Sequence, residues 1–306
     1  MKTGLQTGDN EKFQRKWWEV TRESIGDKYL WINQSGGKNL FYDSTDWLIE
    51  WENNGARVKS HPRSSARNED DYFTEGLNFR NFSNTFTARY QRGGEIFGDT
   101  AYFVSPETHD DYELLSYLCS SLSQFILEGL NPGLNFEVGD VKRLPIKDEH
   151  EGSEELSEIA KTAVKRKEHK FSLIETKREF NGEHLINAIN RFNYELDLVE
   201  ADILILQSLL SEIVFDEYGL DPDLRSQIEQ DFPLNYHTLP HIEKSGENPD
   251  QHTFRKQIKT TNVSDNRYTE LVEKIKSDNK DISELSTENN ISPYTVVNIR
   301  RSENSY

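Results

Sequence analysis

The chain has 306 residues, with 54 Asp or Glu against 36 Lys or Arg, a formal net charge of −18. So large an acidic excess repels phosphate and excludes a generic polyanion binder, so any nucleic-acid contact must be confined to a locally basic patch. Only 34% of residues are hydrophobic, yet 5 Trp, 13 Tyr and 16 Phe suffice to bury a core, which excludes a wholly disordered chain.

A salt-rich cytoplasm would be a second explanation for the acidity, because acidic surfaces suit it and salt screens phosphate repulsion. The single cysteine, Cys119, has no internal partner for a disulfide and reads as a small buried hydrophobe. The opening Met1-Lys2-Thr3-Gly4 is not an apolar signal segment, and no run of about 18 apolar residues occurs. The expectation is a soluble cytoplasmic protein with no membrane partner.

In chain order, Gly4 to Asn10 carry turn chemistry, two glycines flanking a Thr with Asp-Asn following. Such a loop can cradle a phosphate through backbone N–H groups, but it lacks the Lys-Ser/Thr ending of a nucleotide loop and no strand is predicted before it. Residues 13 to 60 are rich in aromatics (Phe13, Trp17, Trp18, Tyr29, Trp31, Phe41, Tyr42, Trp47, Trp51), which at this density read as core before they read as base-stacking platforms. Gly36-Gly37-Lys38 is a turn between aromatic segments. Ile49 to Gly55 reads as a helix end capped by Gly55.

Between residues 57 and 92 stand seven cations, Arg57, Lys59, Arg63, Arg67, Arg80, Arg89 and Arg92, against four anions, Glu69, Asp70, Asp71 and Glu75. This local surplus of three is where a phosphate backbone would be met, with Ser83, Asn84, Thr85 and Thr87 supplying neutral hydrogen bonds. The same residues also suit a solvated, salt-bridged β surface. Residues 94 to 106 read as a hairpin closing on a Ser-Pro turn.

From Leu114 to Leu130 the apolar residues recur at helical spacing, and Gly129 with Asn131-Pro132-Gly133 stops that helix. An extended piece, Leu134 to Val138, follows, then a Gly-Asp turn and Leu144-Pro145-Ile146. Residues 147 to 155 are charged. Leu156, Ile159, Ala160, Ala163, Val164 and Phe171 then mark one amphipathic helix, and Leu185 through Ile213 a second beyond Asn181-Gly182. Together they read as an antiparallel hairpin that packs and docks. Residues 221 to 264 show no period. His237 and His241 are four apart, but Pro240 between them excludes a helical metal pair, so no metal site is expected.

The last forty residues read as a separate unit. Ile282, Leu285 and Ser286 suit a first helix, Asn289-Asn290 a turn, and Ser292-Pro293 the cap and first position of a second helix. The spacing resembles helix-turn-helix regulators, which would direct Ser292, Tyr294, Thr295, Asn298 and Arg300 to a major groove.

Several phrases resemble one family. The Gly4–Phe13 stretch GLQTGDNEKF resembles the G-x-x-T-G-x-N-x-x-F phrase that opens the recognition region after the catalytic domain in adenine-specific DNA methyltransferases. Residues 28–59 (KYLWINQSGGKNLFYDSTDWLIEWENNGARVK), 67–79 (RNEDDYFTEGLNF), 114–127 (LLSYLCSSLSQFIL), 130–146 (LNPGLNFEVGDVKRLPI) and 215–224 resemble the PglX type of these enzymes, from the phage-exclusion (BREX) defence systems. The resemblance spans roughly residues 4 to 220. It does not extend to the helix-turn-helix unit.

Adenine methylation in this class requires a Gly-rich turn that holds S-adenosylmethionine and an Asn/Asp-Pro-Pro-Tyr/Phe tetrapeptide that holds the flipped base. Neither is written in these 306 residues, and Asn131-Pro132-Gly133-Leu134 lacks the second Pro and the aromatic. No catalytic residue and no cofactor site is therefore expected on this chain. The resemblance implies double-stranded DNA as one partner and a separate catalytic subunit carrying S-adenosylmethionine as another.

The reading is an α+β protein: a small mixed α/β target-recognition domain (1–147), a long antiparallel helical hairpin (148–220), an irregular linker (221–264) and a small C-terminal helix-turn-helix (265–306). The alternatives from other classes are a helix-turn-helix DNA-binding regulator or adaptor, and a non-functional remnant of a split methyltransferase gene.

Overall fold

A computed structural model of the chain describes residues 1–232 apart from 107–108, 134, 148–152 and 189–191, together with residues 280, 284, 285 and 288. The architecture is mixed α+β, with two small sheets and a layer of helices. In the first sheet β1 (Gln14–Lys16) lies antiparallel to β3 (Trp47–Glu50), β3 antiparallel to β2 (Tyr29–Asn33), and β2 parallel to β6 (Glu95–Phe97). The second sheet holds β4 (Gly76–Arg80) between β5 (Ala88–Gln91) and β7 (Ala101–Val104), both antiparallel to it.

The second sheet is apolar on both faces, so it separates two cores. Along β7 the side chains alternate: Ala101 and Phe103 enter a core with Leu5, Phe13, Ile32, Ile49 and Phe97, whereas Tyr102 and Val104 enter the other. That other, larger core joins Leu77, Phe79 and Ala88 to the helices. They are α3 (Asp111–Cys119), α4 (Ser121–Leu130), α6 (Glu154–Ser172) and α8 (Phe192–Glu217), with the short helices α1 (Asn10–Phe13), α2 (Glu52–Lys59), α5 (Val138–Val141) and α7 (Gly182–Ala188) between. Cys119 is fully buried, its Sγ donating to the Ala88 carbonyl at 3.4 Å, and burial pushes its thiol up to about 12.

The helix expected from Leu114 to Leu130 is broken in two. Ser120 has extended backbone (ψ 154°), and its Oγ accepts from the Ser123 N–H at 3.2 Å, so a serine that ends α3 caps α4. In α6, Ser153 Oγ accepts from the Leu156 N–H at 3.3 Å and caps the helix, and Leu156, Ile159, Ala160, Ala163, Val164 and Phe171 are buried as the spacing predicts. The polar edge of α6 ties to α8 through Lys167 and Lys170 on Glu200 and through Arg166 on Asp202 at 3.4 Å. In the second helical run, Gly182–Ala188 (α7) and Phe192–Glu217 (α8) are helical.

Four further expectations are corrected. Ile49 lies in β3, and Asn53, Asn54 and Gly55 all have left-handed backbone (φ 52°, 56° and 69°), so this segment is a left-handed turn that opens α2 rather than the end of a helix. Residues 94 to 106 are not a hairpin, because β6 joins the first sheet and β7 the second. Asn135 makes a single bridge to Phe82, and Val138 already begins α5. Pro222–Asp231 is a helix, α9, with Asp221 accepting from the Leu224 N–H at 3.0 Å and Ile228 buried, so order extends past residue 221. The rest of the expected linker with His237 and His241, and the residues assigned to the groove, Ser292, Tyr294, Thr295, Asn298 and Arg300, lie outside the described residues. No helix among the described residues is long and apolar enough to cross a membrane.

Candidate nucleic-acid interface

The Gly4–Phe13 phrase fastens the end of β6 to the loop after α2. Gly4 and Leu5 donate to Gly98 O and Phe97 O at 3.2 and 2.9 Å, and Gln6 and Ser65 exchange two backbone hydrogen bonds of 2.9 Å. A Cβ on Gly4 would stand 1.8 Å from the Phe97 carbonyl oxygen, so close backbone approach requires glycine here. Gly8 has a φ of 74°; Thr7 bonds to Asn10; Phe13 is buried edge-on to His61 at 5.5 Å. The cleft of about 340 Å³ beside this loop is lined by Asp9, Glu11 and Asp99 with neutral Gln6, Thr7, Asn10 and Gln34. Three carboxylates and no cation make it a poor phosphate cradle. No aromatic or aliphatic side chain is among the residues that line it.

The seven cations between residues 57 and 92 have different fates. Arg57 reaches back from α2 to Glu50, with Nη1–Oε1 at 2.7 Å and its own side chain largely exposed. Lys59 pairs with Glu69 and sits over the Trp51 ring at 5.1 Å. Arg63 and Arg67, on the loop after α2, are exposed, and Arg80, at the end of β4, is half-buried. No ion pair joins these three to a carboxylate among the described residues. Arg89 is buried at 2% exposure. Arg92 is held by Glu168 of α6 and lies over Tyr42 at 5.2 Å.

The loop between β4 and β5 presents what the sequence placed between the arginines. Phe82 is 56% exposed, Asn84 and Thr85 are exposed, and Ser83 is half-buried, whereas Thr87 is buried. The loop rests on the segment after α4: the Phe136 N–H donates to Asn81 O at 2.7 Å, and Asn81 Nδ2 donates to Tyr102 Oη at 2.9 Å. Asn131 braces that segment, donating to Asn135 O at 2.8 Å and to Asp140 Oδ2 at 3.0 Å. One of the family-like phrases thus supports the loop that follows Arg80.

A second cleft, of about 360 Å³, opens between the β2–β3 connection and the turn after α6. Its wall carries Lys16, Lys38, Arg89 and Lys177 against Asp43 and Asp46, with neutral Asn33, Gln34, Ser35, Asn39, Ser44 and Thr45. Gly36 and Gly37 have positive φ (71° and 80°), and a Cβ on Gly37 would meet Arg89 Cδ and Asp43 Cβ at 2.9 Å. Asp46 serves two cations, Lys177 at 3.0 Å and Lys16 at 4.0 Å. Burial lowers the Lys16 ammonium below its usual range, against the pull of Asp46 and with the push of Lys177. Lys16 also lies 3.9 Å from the centre of the Trp47 ring, at the rim. Behind the cleft, Asn33 bonds to Asn78, Thr45 Oγ1 donates to Glu95 Oε2 at 3.1 Å, and Arg178 Nη1 meets Glu95 Oε1 at 2.5 Å.

Of the residues lining this cleft, sequence reading singled out Arg89, the Gly37-Lys38 part of the double-glycine turn, and Trp47, which was read as core and is instead 37% exposed. Lys16, Asp43, Asp46 and Lys177 are brought together from up to 161 positions apart, and the only local signal was the double glycine.

No family model matches the chain. Over 195 residues it is 30% identical to the adenine-specific methyltransferase BrxX of Escherichia coli O9:H4 (strain HS), a match covering 60% of this chain and 16% of that protein. Over 273 residues it is 26% identical to the adenine-specific methyltransferase PglX of Lacticaseibacillus casei (strain Zhang), covering 78% of this chain and 22% of that protein. The chain is therefore related to the PglX/BrxX type of adenine-specific methyltransferase, and its matches span about a fifth of the length of these curated relatives.

Proposed function

We propose that this chain is a DNA target-recognition portion of an adenine-specific DNA methyltransferase acting in phage defence of the BREX type. The observation that carries this is the relationship to two methyltransferases over 60% and 78% of the chain. Methyl transfer and its cofactor then belong to a catalytic unit, and this chain contributes binding and positioning of double-stranded DNA.

Three features support the DNA role. Arg63, Arg67 and Arg80 are cations with no carboxylate partner among the described residues, on a chain of net charge −18. The β4–β5 loop offers Asn84, Thr85 and the exposed Phe82 beside Arg80, a mix of amide, hydroxyl and aromatic groups suited to base edges and base faces. Arg92–Glu168 ties the second sheet to α6, and Lys177–Asp46 and the Tyr42 hydroxyl on Glu179 at 2.5 Å tie the turn after α6 to the β2–β3 connection, which gives the loops a braced base.

The test is selection of duplexes from a randomised pool by the full chain, followed by affinity measurement across salt. The reading expects enrichment of one adenine-containing motif and affinity that falls as salt rises. Enrichment of no motif, with binding no stronger than that of an acidic control protein, would overturn it.

A further inference from the structure

We propose that the cleft between the β2–β3 connection and the turn after α6 is a phosphate-binding pocket for a nucleotide unit, with Arg89 as its floor. The argument begins with the cost of a buried charge. Arg89 is 2% exposed, yet no carboxylate pairs with it among the described residues. Its Nη1 donates to the Asp43 carbonyl at 2.5 Å, and its Nε is buried without a hydrogen-bond partner. A guanidinium so placed is stable only if an anion or strong acceptors complete its shell.

The rest of the wall points to the same ligand class. Lys38 is exposed and, among the described residues, pairs with no carboxylate. Asp46 is shared between Lys16 and Lys177, and the Asp43 carboxylate accepts from the Lys38 backbone N–H at 2.6 Å. Four cations against two carboxylates leave the pocket electropositive on an acidic protein. Amide and hydroxyl groups of Asn33, Gln34, Asn39 and Ser44 supply the neutral hydrogen bonds that a phosphate or sugar takes. A volume of about 360 Å³ exceeds what inorganic phosphate fills and suits one nucleotide. Trp47 at the rim, 37% exposed, offers a ring face for a base.

The phosphate has two possible sources, a DNA strand or a free nucleotide. The first source rests on the DNA-recognition reading, and the second does not. Deoxyadenosine monophosphate, deoxyadenosine and a duplex oligonucleotide are titrated against the full chain, with tryptophan fluorescence and calorimetry as readouts. Lys38→Glu is the first variant, because Lys38 is exposed and its loss leaves the fold intact. Arg89→Gln is the second, used only if its thermal midpoint stays near that of the parent.

The proposal expects saturable binding of the monophosphate, none of the unphosphorylated nucleoside, and at least a tenfold loss in Lys38→Glu at unchanged Tm. Competition by the duplex would assign the pocket to a DNA phosphate; failure to compete would assign it to a free nucleotide. No monophosphate binding, or equal binding by Lys38→Glu and the parent, would overturn the pocket. A duplex that binds parent and Lys38→Glu equally, with no monophosphate binding, sinks the pocket and leaves the DNA reading standing. Monophosphate binding without duplex binding does the reverse.

Discussion

The Arg92 guanidinium, at the end of the second sheet, meets the Glu168 carboxylate of α6 at 2.6 Å, joining residues 76 apart in the chain. An arginine that sequence reading assigned to DNA is thus a strut between the sheet and the helical layer. Arg92→Glu should lower stability by about 1 kcal/mol, the scale of a partly exposed ion pair, more if the Tyr42 stacking is also lost. The double variant Arg92→Glu with Glu168→Arg should recover most of it. A thermal or urea melt of the two variants checks this, and equal midpoints for both would refute the strut.

The cations free of carboxylates among the described residues should behave differently. Arg63→Glu, Arg67→Glu and Arg80→Glu combined should leave the melt unchanged and weaken duplex binding. Each phosphate contact removed should reduce the slope of log affinity against log salt by about 0.9. An unchanged slope would place DNA contact elsewhere on the chain.

Asp202 gives a pH prediction. Burial raises its carboxyl to about 6, with Arg166 pulling the other way. The folded form then holds a proton that the unfolded form releases near pH 4, so this group favours folding at low pH and that contribution is lost as pH rises toward 6. Asp202→Asn should flatten the pH dependence of the urea midpoint between pH 4 and about 6.5 relative to the parent. Parallel profiles for parent and variant would show that Asp202 titrates normally.

Gly4 separates a fastening role from a phosphate-cradling one. The approach to the Phe97 carbonyl leaves no room for a methyl group, so Gly4→Ala should cost about 2 kcal/mol or more through displaced backbone. A stability loss with duplex affinity retained in the folded fraction is the expected result. Loss of binding at an unchanged melting temperature would restore the cradle.

How much of this was legible in the sequence depended on how local the cause was. The α6 helix was legible because its apolar stripe is written in residues that are neighbours in sequence. The burial of Cys119 followed from the apolar helix around it. The break at Ser120 was missed because apolar spacing runs straight through a serine that caps the next helix. The supposed hairpin at 94–106 was missed because β6 and β7 choose partners in different sheets, one of them Tyr29–Asn33, far back in the chain. The fates of the arginines were the least legible. Composition marked the stretch, but Glu168 and the burial of Arg89 are properties of the assembled fold.

The central claim is that these residues supply DNA recognition to a methyltransferase whose chemistry lies elsewhere. Its most direct measurement is incorporation of labelled methyl groups into phage or plasmid DNA from S-adenosylmethionine. Three reactions are compared: this chain, a PglX-type catalytic unit alone, and the two together, at the salt of the host. Methylation of adenine at one motif only in the mixture is the predicted result. A catalytic unit that methylates the same motif at the same rate without this chain would contradict the account.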